Sequence, residues 1–150
     1  MAENQKGVIL LIEDNPDDEA LAVRALRKRN IGNPIVVCHD GAEALEYVFG
    51  TGKFAGRNPT DFPAVTMLDL KLPKVDGLTV LQRIRADERT RQMPVAILTS
   101  SNLEEDLIRG YELGANSYVR KPVKFELFIE AIRRLGVYWL LLNEPPPDRT

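Results

Sequence analysis

The chain has 150 residues, 44% of them apolar and 28% charged, which suits one folded domain with a buried core. A net charge of −2 excludes a general pull of the whole molecule toward nucleic acid or an anionic membrane. A single cysteine, Cys38, excludes an internal disulfide and a cysteine-built metal site, and fits a reducing compartment.

In chain order, Val8-Ile9-Leu10-Leu11-Ile12 is a continuous apolar run ending at two acids, the pattern of a strand buried on both faces. Asn15-Pro16-Asp17-Asp18-Glu19 reads as a helix start. Asn15 can cap, Pro16 fits the first turn, and the acids suit the positive helix end. Leu21, Ala25 and the basic residues Arg24, Arg27, Lys28 and Arg29 continue this helix to near Gly32. Residues 35–38 form a second strand, with Cys38 a small buried residue at its end. Asp40-Gly41 opens a second helix over residues 42–49. Residues 50–63 lack periodicity and read as a surface loop. Residues 64–68 form a third strand ending at Asp69, and Leu78, Leu81 and Ile84 mark a third helix. Residues 94–98 form a fourth strand ending at Thr99. Leu103, Leu107, Ile108 and Tyr111 mark a fourth helix, stopped at Gly114. Residues 117–119 form a fifth strand, and Phe125, Phe128, Ile129, Ile132 and Leu135 mark a last helix. Five strands alternating with five helices imply an α/β fold, a doubly wound parallel sheet covered on both faces.

All strands of such a sheet aim their carboxyl ends at one edge, and sites form there. Glu13 and Asp14 follow strand one, Asp69 strand three, Thr99 strand four and Lys121 strand five. Three carboxylates repel one another and offer hard oxygen ligands suited to Mg²⁺. A cation there would screen Asp69 from an incoming phosphate. Asp69, on the central strand, is the nucleophile candidate. Lys121 can hold a phosphate oxygen and Thr99 can donate a hydrogen bond to another. Taken singly, each acid is more often a turn or helix cap. It is the joint placement on four strands that points to chemistry. His39, the only histidine, reads as a solvent-facing loop residue, so no histidine-based site can be built within one chain.

The stretches Leu11-Ile12-Glu13-Asp14-Asn15, Leu68-Asp69-Leu70-Lys71-Leu72-Pro73, Asp76-Gly77, Leu98-Thr99-Ser100 and Tyr118-Val119-Arg120-Lys121-Pro122 resemble the motifs of two-component response regulator receiver domains. The resemblance runs from about Gly7 to Arg134. It implies a flavodoxin-like five-stranded sandwich of strand order 2-1-3-4-5, and a phosphoryl group accepted by Asp69 from a sensor histidine kinase. It implies Mg²⁺ held by Asp14, Asp69 and the backbone carbonyl of Lys71, with Glu13 acting mostly through a metal-bound water. Thr99 and Tyr118 become switch residues, Lys121 the phosphate counter-ion, and the Lys121–Pro122 peptide bond cis. Glu13 stands where many family members carry Asp; the charge survives, with a longer reach. The side chains of Lys71 and Ser101 are expected to tune the lifetime of the phosphate.

A narrower resemblance, carried by residues 50–63, Leu113-Gly114-Ala115-Asn116-Ser117-Tyr118 and the tail, is to single-domain regulators that partner bacterial phytochromes. It implies a homodimer on the side of the last helix, with Leu135, Tyr138, Trp139 and Leu142 at the interface. The apolar run 135–142, broken only by Gly136, is greasier than packing on one sheet requires, which fits that reading; the alternative is that it folds back on its own domain. The expected organisation is a tail at 1–6, the receiver domain with a helical extension at 7–143, and a disordered end at 144–150. Residues 1–6 lack a signal peptide's apolar stretch and 135–142 are too few to cross a bilayer, so a cytoplasmic place without membrane or nucleic-acid partners is expected. With no output domain following, the output is expected to be a partner protein, a phosphorelay step or dimer exchange.

Two rivals are weaker. A flavodoxin-like flavin carrier needs a phosphate-cradling loop where Glu13-Asp14-Asn15 stands. A phosphatase with an aspartyl-phosphate intermediate needs a second acid where Lys71 stands, so the chain is expected to catalyse only its own phosphorylation and slow dephosphorylation.

Overall fold

In a computed structural model of the protein, residues 7–28, 33–99, 103–120 and 130 are described. The elements are β1 (Ile9–Ile12), α1 (Pro16–Lys28), β2 (Ile35–Cys38), α2 (Gly41–Phe49), β3 (Val65–Leu68), α3 (Gly77–Ala86), β4 (Val95–Thr99), α4 (Glu104–Glu112) and β5 (Ser117–Arg120). The strands form one parallel sheet of order β2-β1-β3-β4-β5, as expected.

The continuous apolar runs make sense once both sheet faces are covered. Successive side chains of a strand point to opposite faces. Ile9, Leu11, Val65, Met67 and Leu98 pack with Ala22, Ala25 and Leu26 of α1. Leu10, Ile12, Leu68, Val95 and Ile97 pack on the other face with Leu45 and Val48 of α2 and Val80, Leu81 and Ile84 of α3. Each such side chain removed from water contributes about 1.5–3 kcal/mol. Cys38 is fully buried, and burial pushes its thiol up to about 12, so it is a core residue and not a reactive one. His39 is exposed, as expected, with Nε2 at 2.9 Å from Glu19 Oε1.

The observed elements differ from the expected ones in instructive places. β4 runs one residue further and takes in Thr99, and β5 takes in Arg120. The loop 50–63 holds a short 3-10 turn, Gly52–Phe54. It is stapled by Arg57, whose guanidinium lies 4.0 Å over the Tyr47 ring and donates to the carbonyls of Tyr47 and Asp61. In α4 the apolar residues Leu103, Ile108 and Tyr111 are each about half exposed; the buried residue is Gly110. A side chain at Gly110 would meet Ile97 Cδ1 at 2.8 Å, so this helix approaches the sheet closely at Gly110 and leaves Ile108 and Tyr111 outward. The expected fifth helix and its interface residues lie outside the described residues, apart from Glu130, which is helical.

Arg85, at the end of α3, is the main polar tie between layers. It donates to the carbonyls of Gly114 (2.9 Å), Arg91 (2.9 Å) and Met93 (2.6 Å) and to Asn116 Oδ1 (3.0 Å). Asn116 Oδ1 also accepts from Val95 N at 2.8 Å. Replacing Arg85 with Met keeps the aliphatic stem and strands these acceptors. The expected cost is about 2 kcal/mol, read as a lower urea midpoint at unchanged slope.

Candidate functional site

The backbone ladder carries past the strand ends and sets the acids side by side. Ile12 pairs with Leu68 in the β1–β3 register, Glu13 N donates to Cys38 O at 3.0 Å and Asp69 N donates to Ile12 O at 3.1 Å. Glu13, Asp14 and Asp69 each offer a carboxylate oxygen, and these oxygens all lie within 4.8 Å of one another. Glu13 and Asp69 are buried, whereas Asp14 is exposed, so the cluster opens to solvent on one side.

Local bonds orient two of the three acids. Glu13 Oε2 accepts from Asn15 N at 3.2 Å, and Asp69 Oδ1 accepts from Lys71 N at 3.2 Å. Asn15 caps α1 as its sequence position suggested, its Oδ1 accepting from Asp17 N and Asp18 N. The N-terminus of α1 therefore begins one residue beyond the acidic pair.

Thr99 ends β4, next to β3 in the sheet, and is fully buried. Tyr118 lies on β5 opposite Ile97, half-buried, its ring 6.2 Å from that of Tyr111. Gly110 faces the same ring, and an added Cβ there would sit 3.3 Å from Tyr118 Cδ2. Lys121 and Pro122, with the cis bond expected between them, lie outside the described residues; β5 brings the chain to Arg120, next to Thr99 in register.

The donor set is three carboxylates with no sulfur or imidazole among them, which is hard-cation chemistry. Three like charges this close are stable together only with a compensating cation or proton. The set therefore fits a divalent ion of the magnesium class and fits zinc or copper poorly.

This arrangement agrees with the family comparison, in which the model described as the response regulator receiver domain matches residues 9–133. The chain belongs to that family. The receiver is 31% identical over 137 residues to response regulator Rcp1 of Synechocystis, covering 91% of each chain. A crystal structure of the Mn²⁺-bound form of Rcp1 superposes with a TM-score of 0.87 at 30% identity, covering 94% of this chain and 99% of that one. The phosphorylated cyanobacterial phytochrome response regulator RcpA superposes equally well, at 31% identity and the same coverage. The bacteriophytochrome response regulator AtBRR is 52% identical, with a TM-score of 0.70, covering 92% of this chain and 98% of that one. The receiver fold and the placement of the chain in two-component phosphorelay signalling follow from these findings. Among the described residues no helix is long and apolar enough to cross a membrane.

The sequence reading gives Asp40 and Gly41 only the opening of α2, and Lys74 no role. A glycine as the first residue of a helix, where better helix formers are available, is the signal that could have been followed.

Proposed function

We propose that this receiver accepts a phosphoryl group on Asp69 from a sensor histidine kinase in a Mg²⁺-dependent reaction and signals through a change of shape. The observation that carries the reading is the convergence of Glu13, Asp14 and Asp69 within 4.8 Å at the carboxyl end of a central strand. Asp14, Asp69 and the Lys71 carbonyl would hold the ion directly, with Glu13 reaching it through water. When bound, the ion neutralises the carboxylates and offers a site to the phosphate oxygens. An Asp69 oxygen attacks phosphorus, and the bond from phosphorus to the donor breaks with its electron pair leaving on the donor. Lys121, by its motif, supplies a counter-charge to the phosphoryl group, and the Thr99 hydroxyl donates to one of its oxygens.

The new group carries nearly two negative charges. Thr99 moves toward it and Tyr118 turns into the space behind, altering the face around α4 and β5 that a partner protein reads. The receiver catalyses its own phosphorylation and slow dephosphorylation and no other reaction. The likeness to the phytochrome response regulator RcpA and the bacteriophytochrome response regulator AtBRR supports a phytochrome-type kinase as the donor, while a cytoplasmic place rests on the sequence pattern alone. The test is incubation with Mg²⁺ and acetyl phosphate, then location of the added phosphate by mass spectrometry. Phosphate on Asp69 that disappears with a chelator is expected; no incorporation, or incorporation indifferent to the ion, would sink the reading.

The domain boundaries at 7–143 and a homodimer through Leu135, Tyr138, Trp139 and Leu142 belong to the same proposal and rest on the sequence pattern alone. Light scattering is expected to give twice the chain mass for the wild type and a shift toward monomer for Trp139→Ala. A monomer in both ends the dimer.

A further inference from the structure

We infer that Gly41, on a different element from any proposed ligand, is a positioning residue that fixes the loop between β3 and α3 and through it the metal-facing carbonyl of Lys71. This rests on the metal reading of the acidic cluster.

The loop carries local strain. Val75 N donates to Pro73 O at 2.8 Å, a bond that closes a three-residue turn about Lys74. Lys74 has φ +69°, the only non-glycine residue with positive φ among the described residues. A γ-turn of this hand is rare and strained, and such a conformation persists only where its surroundings over-determine it. The surroundings come from the start of α2. Gly41 N donates to the same Pro73 oxygen at 3.3 Å. A Cβ at Gly41 would stand 1.8 Å from Val75 O and 2.7 Å from Val75 C, so the two backbones are packed as closely as the absence of a side chain allows. Asp40 adds a weaker hold. Its Oδ1 caps α2 by accepting from Glu43 N, while its Oδ2 lies 3.5 Å from Lys74 Nζ in an exposed pair.

A methyl group at Gly41 must push Val75 and its turn outward. The displacement runs back along the four residues to Lys71, whose amide is already tied to Asp69 Oδ1 at 3.2 Å. Val75 is only partly buried at the margin of the core, and alanine favours a helix more than glycine does, so the effect falls first on the loop.

The experiment is calorimetric titration of the full chain with Mg²⁺, with thermal melting and acetyl-phosphate labelling of Asp69 on the same samples. For Gly41→Ala a folded protein is expected whose Mg²⁺ binding is weaker by about tenfold, the scale of losses when groups supporting a metal ligand are altered. Its labelling recovers at saturating Mg²⁺, which a damaged fold would not allow. Lys74→Gly, which accepts the same backbone conformation without a side chain, is expected to bind within about twofold of wild type, because the grip comes from α2. Unchanged binding in Gly41→Ala, an unfolded Gly41→Ala protein, or a tenfold loss in Lys74→Gly each overturns the inference. Wild-type protein that binds no Mg²⁺ overturns the metal reading itself, and the inference with it.

Discussion

The Asp69→Asn variant is expected to take up no phosphate from acetyl phosphate at any Mg²⁺ concentration, with a melting temperature at or above that of the wild type. The reason is chemical for the first half and electrostatic for the second. An amide has no anionic oxygen to attack phosphorus, yet it has nearly the shape of the carboxylate and fills the same buried position. The carbonyl oxygen can still accept from Lys71 N, as Asp69 Oδ1 does now. Removing one of three carboxylates whose oxygens lie within 4.8 Å relieves like-charge repulsion, which favours the folded state. Labelling is read by intact mass and by mapping the modified peptide. Phosphate found on another residue, or labelling at the wild-type rate, would remove Asp69 from its proposed role.

Gly77→Ala is expected to damage both fold and labelling, with a stability loss of about 3 kcal/mol. Gly77 is the first residue of α3, its amide donating to Leu70 O at 2.8 Å while Asp76 caps the helix through Thr79 N. A Cβ there would lie 2.2 Å from Asp69 O and 2.6 Å from Leu70 Cα. Both are backbone atoms of Asp69 and its neighbour, the proposed phosphoacceptor's own segment, so neither can swing aside as a flexible side chain would. Either the helix retreats from β3, opening the packing of Val80 and Leu81, or Asp69 is displaced. Urea unfolding and the labelling assay together separate the two. A variant as stable and as readily labelled as wild type would contradict the close approach.

Most of the fold was legible because strands buried on both faces write themselves as unbroken apolar runs. β2 was placed to the residue, and the acids of the cluster were found because each follows directly on a strand. The cap at Asn15 was legible for a similar reason, since its partners are two and three residues away. What could not be read depends on chain segments that meet only after folding. Nothing in the local pattern says that Val75 O presses on Gly41, or that Lys74 is left-handed. Arg85 reads as an ordinary basic residue at a helix end, yet it is half-buried and serves four acceptors from two segments. The apolar spacing of α4 located the helix but could not say that Ile108 and Tyr111 stay about half exposed, because periodicity reports a face and not what the face meets.

The guanidinium of Arg85 also fixes which ends of β4 and β5 are anchored. It clamps the segment entering β4 at Met93 and the segment entering β5 at Asn116, and Asn116 in turn locks Val95. Thr99 and Tyr118 lie further along those two strands, toward the edge that carries the acids. β4 and β5 are thus anchored like cantilevers at their roots. On the proposed reading, a pull at the phosphoryl end would then be expected to shift the far ends of these strands more than their roots, and to reach a partner through the flank of the sheet.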